Sequence, residues 1–469
     1  MFELLDQHHK LSRRQMTLAI IAAWAVCLEF LDYFLIGFIL TFVAGPWELN
    51  FGQSSVILLS SGVGAILGAL FFGRLADRIG RRRVFLMTIM VFTAATAALA
   101  LTPDSIEFGW IYLVTFRVVI GFGAGGLYVV DLPLVQEYMP ASKRGSVTGI
   151  VTASVPLGFL VGSLMVWLLS DLIGWRGILV VAAIMGLSVL LMRLAIPESP
   201  RYLARTGDLE GARKSVAWAL HIPVADVPDD DDTPAEPAKP RATFRDLLAY
   251  PRSFWTSVLA NLGMQTGYYG LTLWTPTLLV LVAGIEPVQT GFYMIFVTLG
   301  ALAGRFGLSY LAEMIGRRAA GTIAGVAAAI TAVIAATMGD LTWGGLSAFF
   351  LMMIVVYFFG EGGFAIVGPY SGEVWPSKLR TTGMGFAYGI GGLGKIIGPL
   401  GLGLILGSSN FVRPEVTEQS LLPGFAYFAG WYLLVAVMFA FVGFETRGKG
   451  IEELDAEIEK QRTESKVAA

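Results

Sequence analysis

Long apolar runs alternate with short polar segments along almost the whole chain. A helix needs about 20 apolar residues to cross a bilayer, and runs of that size occur twelve times in the 469 residues. They cover residues 16–44, 55–73, 83–101, 108–135, 145–169, 175–196, 254–283, 288–312, 319–338, 345–370, 381–408 and 423–443. The pattern predicts an all-α membrane protein with twelve transmembrane helices.

One long polar segment divides the predicted helices into six and six. We therefore expect two six-helix bundles, 1–196 and 254–443. A cytoplasmic linker with short helices, 197–253, joins them, and a tail, 444–469, follows with one short helix. Within the linker, residues 227–240 are acidic and rich in proline, which is the composition of a flexible segment.

Composition and charge agree with a multi-pass protein of the inner or plasma membrane, which we expect to be a monomer. The chain is 55% hydrophobic and 14% charged, whereas soluble domains are about 45–50% apolar and about 25% charged. The net charge of −2 gives no indication of nucleic-acid binding, and the single Cys27 offers no disulfide framework. His8 and His9 have no further ligands nearby, so no metal site is expected.

The distribution of lysine and arginine predicts the orientation, because cytoplasmic loops carry the excess of these residues. If both termini are cytoplasmic, 28 of the 33 basic residues lie on the cytoplasmic side. Arg176 and Arg413 then fall in outer loops, and Arg117, Arg305 and Lys395 fall inside helices. We therefore predict that both termini are cytoplasmic.

The second half of the chain repeats the first at a fixed offset. "GRLADRIGRRR" begins at Gly73, and "SYLAEMIGRRA" begins 236 residues later at Ser309. The same offset relates Gly64, Gly68, Pro133, Glu137, Pro140, Arg144, Gly149, Gly158 and Gly162 to Gly300, Gly304, Pro369, Glu373, Pro376, Arg380, Gly385, Gly394 and Gly398. Repeats of this kind place a substrate site near the bilayer midplane, with transport by alternating access.

These motifs resemble those of the major facilitator superfamily. The resemblance rests on "GRLADRIGRRR" and on Arg117 followed by "GFGAGG". "PESPRYL" (197–203) and "FETRGKGIEEL" (444–454) are similar to the sugar-porter-like branch, although Phe444 replaces the usual proline. The resemblance implies the major facilitator fold and a transporter rather than an enzyme, with no cofactor.

The seventh predicted helix narrows the resemblance. It reads "NLGMQTGYYGLTLWTPTLL", which looks like the bacterial metabolite:proton symporters that carry nicotinate and aromatic acids. The fifth helix lacks the glutamine that sugar porters place there. Because Gln265 stands in the seventh helix, a sugar or polyol remains an alternative substrate.

Ionisable residues inside a membrane are functional candidates by default. Here they are Glu29, Asp32, Arg117, Asp131, Arg305, Glu361 and Lys395. Asp32 looks like the acid that proton-coupled relatives carry in the first helix, and Arg117 resembles its fourth-helix partner. Separation of the pair would let Asp32 take a proton, although a permanent ion pair that only fixes helix register would look the same. Glu29, one turn away, is either a second titrating group or a partner for polar neighbours.

Glu361 and Lys395 both break the repeat and lie at similar depths by residue count. They either pair with each other, or Lys395 receives a substrate carboxylate. The second alternative follows the resemblance to organic-ion transporters, in which the charge-selecting residue falls near Gly392.

We expect the substrate to contact polar and aromatic side chains on cavity-lining helices, although aromatic residues in membrane helices often serve only packing. These are Tyr33, Gln265, Tyr268, Tyr269, Trp274, Glu361, Tyr388 and Lys395. A second set of charged residues resembles the cytoplasmic gate of the sugar-porter-like branch, although basic loops also orient the protein. It comprises Asp77, Arg81, Glu137, Arg144, Glu198, Arg201, Glu313, Arg317, Glu373 and Arg380.

Together these features predict a proton-coupled symporter that imports a small organic solute, most simply an aromatic or other organic carboxylate. Its partners would be this solute, protons and membrane lipid. A proton-coupled sugar or polyol symporter is the closest alternative, followed by a facilitator, a drug exporter or a nutrient sensor.

Overall fold

The structure is a computed structural model that describes residues 1–7, 10–105, 107–228, 244–339 and 341–467. His8, His9 and residues 229–240 of the predicted flexible segment lie outside these ranges. The described residues are mainly helical, with one small antiparallel hairpin. Its strands are β1 (Thr342–Trp343) and β2 (Leu346–Ser347).

Nine helices lie before the undescribed part of the linker, within the ranges that the structure describes. They are α1 (Phe2–Gln7), α2 (Arg13–Val43), α3 (Phe51–Ile79), α4 (Arg81–Leu99), α5 (Gly109–Tyr138), α6 (Ala141–Thr152), α7 (Ser154–Leu194), α8 (Pro200–Arg205) and α9 (Leu209–Leu220). Helices α8 and α9 begin at side-chain caps, where Ser199 and Asp208 accept the backbone N–H groups of Tyr202 and Gly211.

Ten further α-helices follow in the described residues after that part of the linker. They are α10 (Phe244–Leu248), α11 (Pro251–Ala283), α12 (Thr290–Ile315), α13 (Arg317–Ala336), α14 (Ala348–Gly362), α15 (Phe364–Glu373), α16 (Arg380–Gly391), α17 (Gly394–Ile405), α18 (Pro414–Val437) and α19 (Ile451–Val467). Residues Met438–Val442 continue α18 as a π-helical turn. The tail helix α19 has 17 residues.

Among the described residues, ten helical stretches are long and apolar enough to cross a membrane. One of them, Ser142–Leu194, covers the predicted span 145–169 and most of the next one, 175–196. Between these two spans, Gly174 departs from helical geometry with φ 65° and ψ 174°. Helix α11 has 33 residues but is not among the ten. Its buried Asn261, Gln265 and many hydroxyl side chains lower its hydropathy.

The chain groups into two compact units. The first contains Met1–Leu35 and Ser60–Ala238, and the second contains Ile36–Leu59 and Lys239–Ala469. In the second unit, the segment before and at the start of α3 pairs by main-chain hydrogen bonds with the turn after α17. These bonds run from Phe51 N to Asn410 O (2.9 Å), from Gly52 N to Ser408 O (3.0 Å) and from Val412 N to Leu49 O (3.0 Å).

The sequence repeat reappears as a repeated helix contact within each unit. A Cβ atom at Gly68 of α3 would overlap the carbonyl oxygen of Phe122 in α5. A Cβ atom at Gly304 of α12, 236 residues later, would overlap the carbonyl oxygen of Phe358 in α14. Glycine at these positions lets the helix backbones touch, as small residues do in membrane helix pairs.

Candidate functional site

Asp32 and Arg117 form a buried ion pair in the first unit. Nη1 of Arg117 lies 2.9 Å from Oδ2 of Asp32, and the two side chains are 1% and 2% exposed. The same Nη1 donates to the main-chain oxygen of Asp32 at 2.9 Å, and Nη2 donates to the main-chain oxygen of Tyr33 at 3.2 Å. The hydroxyl of Thr96 donates to Oδ1 of Asp32 at 3.2 Å. Both carboxylate oxygens therefore accept a hydrogen bond, which favours the ionised form of the acid.

Close helix packing positions this pair. A Cβ atom at Gly121 in α5 would overlap the carbonyl oxygen of Ser61 in α3, and the Ser61 hydroxyl donates to the carbonyl oxygen of Arg117 at 3.1 Å. The contact between α3 and α5 therefore positions the part of α5 that carries Arg117. Glu29 and Tyr33, the two other predicted site residues on α2, are also buried.

The second unit contains a charge pair of its own, between the buried Glu361 and the partly exposed Arg305. Nη2 of Arg305 lies 2.5 Å from Oε1 of Glu361, and its Nε donates to the same oxygen at 2.6 Å. The Tyr268 side chain also hydrogen-bonds to Glu361. A Cβ atom at Gly362 would lie 2.7 Å from the main chain of Gly304, and this approach brings the adjacent Arg305 and Glu361 together. The sequence had not identified Arg305 as the partner of Glu361.

Lys395 and Tyr269, two predicted substrate-binding residues, are neighbours. Nζ of Lys395 lies 5.0 Å from the centre of the Tyr269 ring, within the range of a cation–π interaction. Gln265, one turn before Tyr269 in α11, donates from Nε2 to the main-chain oxygen of Tyr388 at 3.3 Å. Six of the eight predicted substrate-binding residues lie on α11, α16 and α17 within one unit, namely Gln265, Tyr268, Tyr269, Trp274, Tyr388 and Lys395.

Trp274 has a packed environment. Its side chain is fully buried, its Nε1 donates to the Pro399 carbonyl oxygen at 3.1 Å, and its ring centre lies 5.8 Å from that of Phe51. Its indole ring is thus packed against other residues of the protein. They favour a structural role for Trp274 over direct substrate contact.

Several predicted gate residues of the first half lie around the start of α4. Nη1 of Arg81 lies 2.9 Å from Oε1 of Glu137, and the hydroxyl of Ser199 donates to Oε2 of the same carboxylate. Glu198 accepts the backbone N–H of Arg82 at 2.9 Å and so caps α4. A carboxylate at a helix N-terminus is stabilised by the exposed N–H groups and the helix dipole.

The second half repeats this arrangement at the start of α13. Nε of Arg317 lies 3.6 Å from Oε2 of Glu373, which accepts a hydrogen bond from Thr446. Glu445 accepts the backbone N–H groups of Arg317 and Arg318 at 2.9 and 3.1 Å. Burial would raise the pKa of the Glu445 carboxyl, but these donors and those of Arg447 and Thr446 outweigh it and lower the pKa.

The other predicted gate residues have partners that the sequence did not indicate. Nη2 of Arg144 contacts Asp6 of α1 at 3.1 Å, and Nη2 of Arg380 lies 4.0 Å from Asp455 of α19. The remaining contacts are Arg201 with the ring of Phe2, Glu313 with Arg317, and the Asp77 carbonyl oxygen with Arg205. Three of these partners lie on the terminal helices, Phe2 and Asp6 on α1 and Asp455 on α19. The loop motifs give no indication of these contacts.

Helix α19 also contacts Tyr250, just before α11, and Lys378, between α15 and α16. The Glu459 carboxylate accepts from Nζ of Lys378 at 2.8 Å and from the Tyr250 hydroxyl at 2.5 Å. Nη1 of Arg462 contacts the other Glu459 oxygen at 3.1 Å. Hydrogen bonds from Lys378, Tyr250 and Arg462 lower the pKa of Glu459 to about 2.

Comparison with protein families gives one match that spans most of the chain. The Major Facilitator Superfamily matches residues 22–399. The niacin transporter NiaP of Acinetobacter baylyi is 30% identical over 431 residues, which are 90% of this chain and 92% of that protein. The gentisate transporter of Corynebacterium glutamicum is 25% identical over 413 residues, which are 86% and 85% of the two chains.

A solved structure shows the same fold. The partially occluded inward open conformation of the xylose transporter XylE from E. coli superposes with a TM-score of 0.71. The similarity covers 94% of this chain and 100% of that one, at 17% sequence identity. At this identity the likeness concerns the fold alone.

Proposed function

The chain belongs to the Major Facilitator Superfamily, and from this we propose that it imports a small organic carboxylate together with protons. It is a multi-pass membrane transporter, and its relatives are transporters rather than enzymes. The buried ion pair of Asp32 and Arg117 is the observation that carries the proposal.

This pair has the properties that proton coupling requires. An isolated carboxylate in a membrane helix costs about 2.5–3.5 kcal/mol or more, so Asp32 stays ionised only while Arg117 and Thr96 contact it. A conformational change that separates Asp32 from Arg117 would make the protonated acid the more stable form. Re-formation of the pair would then release the proton. Access to opposite sides of the membrane in the two states would couple proton movement to transport.

The substrate class rests on two independent observations. Niacin and gentisate, which the names of two relatives specify, are carboxylic acids with aromatic rings. In this chain, the Lys395 ammonium group lies beside the ring of Tyr269. A cation next to an aromatic wall is suited to a ring that bears a carboxylate. We therefore assign Lys395, Tyr269 and Gln265 to substrate binding.

We also propose twelve spanning helices with both termini cytoplasmic. The two parts of α7 on either side of Gly174, together with the polar α11, would bring the ten apolar stretches to twelve. An even number of spans places both termini on one side, and the excess of lysine and arginine makes this side cytoplasmic. One chain contains both units, so we propose a monomer.

Proton coupling can be tested in proteoliposomes with an imposed pH gradient. D32N should abolish nicotinate or gentisate uptake driven by the gradient, while exchange of substrate across the membrane continues. D104N is the matched control, because Asp104 forms an exposed pair with Arg176. Gradient-driven uptake by D32N at the wild-type rate would refute the proposal, and uptake of neutral sugars alone would favour the sugar or polyol alternative.

The role of Lys395 needs a pair of ligands that differ in charge. K395A should weaken binding of nicotinate much more than binding of nicotinamide, which has the same ring without the carboxylate. K214A is a suitable control, since Lys214 is an exposed residue of α9 with Glu210 as its partner. Equal losses for both ligands would remove Lys395 from carboxylate recognition.

A further inference from the structure

A second buried pair of opposite charges lies within the first unit, formed by Asp131 of α5 and Arg193 of α7. Both side chains are 0% exposed. The shortest separation, from Nη2 of Arg193 to Oδ1 of Asp131, is 3.8 Å. The two groups therefore attract each other without reaching hydrogen-bond distance.

This pair differs sharply from the one formed by Asp32 and Arg117. Within the described residues, neither carboxylate oxygen of Asp131 and none of the three side-chain nitrogens of Arg193 has a hydrogen-bond partner. Desolvation of two charges costs several kcal/mol each, and the attraction offsets this cost only when geometry and hydrogen bonds are good. The ionised form of Asp131 is therefore poorly stabilised in this arrangement.

Arg193 has other neighbours besides Asp131. Its guanidinium lies 4.3 Å from the centre of the Phe85 ring. Other charged groups near it are Glu198 and Arg82 of α4. For Asp131, the neighbouring charge is the guanidinium of Arg193, which attracts the carboxylate. Protonation of Asp131 thus leaves Arg193 with a cation–π contact and a nearby carboxylate.

The position along α5 is also informative. Asp131 comes 14 residues after Arg117 and six before Glu137, which at a rise of 1.5 Å per residue are distances of about 21 and about 9 Å. It therefore lies between the ion pair with Asp32 and the gate pair of Arg81 and Glu137.

We propose that Asp131 is a second proton-binding residue of the transporter, which holds a proton between its release from Asp32 and its exit toward the side where Glu137 lies. The proton adds to a carboxylate oxygen of Asp131 while the Arg193 guanidinium stays beyond hydrogen-bond distance. It leaves to water when the guanidinium closes to hydrogen-bond distance. The inference rests on the proposed proton coupling and adds a second site to it.

Infrared difference spectroscopy of the reconstituted protein during a pH change tests this directly. We expect a carbonyl band of a protonated carboxylic acid that is sensitive to deuterium exchange, remains in D32N and is lost in D131N. D104N, which changes an exposed aspartate, should keep the band. An unchanged band in D131N would overturn the inference. If D131N cannot be recovered folded, D131E replaces it: a shifted band supports the assignment, and an unshifted band overturns it.

Transport assays separate this inference from the proposed function. If D32N abolishes gradient-driven uptake and D131N keeps both the band and the wild-type pH profile of uptake, only the second site is refuted. If D32N leaves gradient-driven uptake intact, proton coupling through Asp32 itself is refuted.

Discussion

Arg117 contacts Asp32 at two points, because one guanidinium nitrogen lies 2.9 Å from both a carboxylate oxygen and the main-chain oxygen of that residue. A second nitrogen reaches the next carbonyl oxygen along α2. The ion pair is therefore also a connection between the side chain of one helix and the backbone of another. Its strength depends on the planar fork of arginine as well as on the charge.

R117K should consequently impair proton-driven uptake although the positive charge remains. Lysine cannot make these contacts from one rigid plane, and each lost hydrogen bond to a charged group is worth about 1.5–3 kcal/mol. We expect at least about a tenfold fall in gradient-driven uptake, since about 1.4 kcal/mol corresponds to a factor of ten. R176K, at the exposed pair, is the control. Wild-type uptake by R117K would show that charge alone suffices.

E361A should destabilise the second unit, because it leaves the guanidinium of Arg305 without its carboxylate partner. Removal of one member of a buried pair costs about 3–5 kcal/mol, and the 24% exposure of Arg305 places the loss toward the lower value. Replacement of both residues, E361L with R305L, should restore much of the apparent melting temperature. A double variant no more stable than E361A would contradict this explanation.

G68A and G304A should each lower the apparent melting temperature, because the added methyl group meets a carbonyl oxygen of the facing helix. Overpacking of this kind costs about 1–3 kcal/mol. Gly149 and Gly385 are controls related by the same offset, and a Cβ atom at either has nothing within 4 Å. Equal effects of all four substitutions would indicate a general intolerance of glycine replacement.

E445Q should weaken the N-terminal end of α13, because a neutral amide accepts the backbone N–H groups of Arg317 and Arg318 less well. The expected loss is about 1 kcal/mol, measured as faster hydrogen exchange over the first turn. The wild type should show the same effect at low pH. The folded pKa lies below the ordinary value, so the stabilisation is present above the ordinary pKa and is lost as the pH falls through the folded one. E313Q, at a more exposed carboxylate, should change little.

The contacts of Glu459 should resist mild acid. The pKa of its carboxyl is lowered to about 2 from 4.5, so the stabilisation is complete above pH 4.5 and is lost as the pH falls through about 2. E459Q should release α19 at neutral pH, seen as faster exchange of its amides and easier proteolysis. E452Q is the control on the exposed side of the same helix. Unchanged exchange in E459Q would show that packing of Leu454 and Ile458 alone holds α19.

The sequence identified features that depend on residue type in a fixed local pattern. Asp32 and Arg117 were predicted as partners because an acid and an arginine stood in apolar runs at positions that resemble a known arrangement. The structure places them in contact. The repeat likewise predicted equivalent residues, and Gly68 and Gly304 make the same contact in their own units.

The sequence did not identify partners that depend on how far one helix is rotated against another. Residue counting placed Glu361 at the depth of Lys395, but the contact between Gly304 and Gly362 brings Arg305 beside it. Arg193 was counted among cytoplasmic charges, although its side chain is fully buried against Asp131. Spacing along one helix gives depth, whereas partner choice depends on the facing helix.

The pairing of residues 49–52 with residues 408–412 has a consequence for variation of the chain. Its hydrogen bonds join peptide groups, so most side-chain replacements leave every donor and acceptor in place. Proline is the exception, because it removes the N–H donor at Phe51, Gly52 or Val412. A proline scan would therefore find the three donors of this connection, whereas an alanine scan would report only side-chain packing, such as that of the buried Phe51.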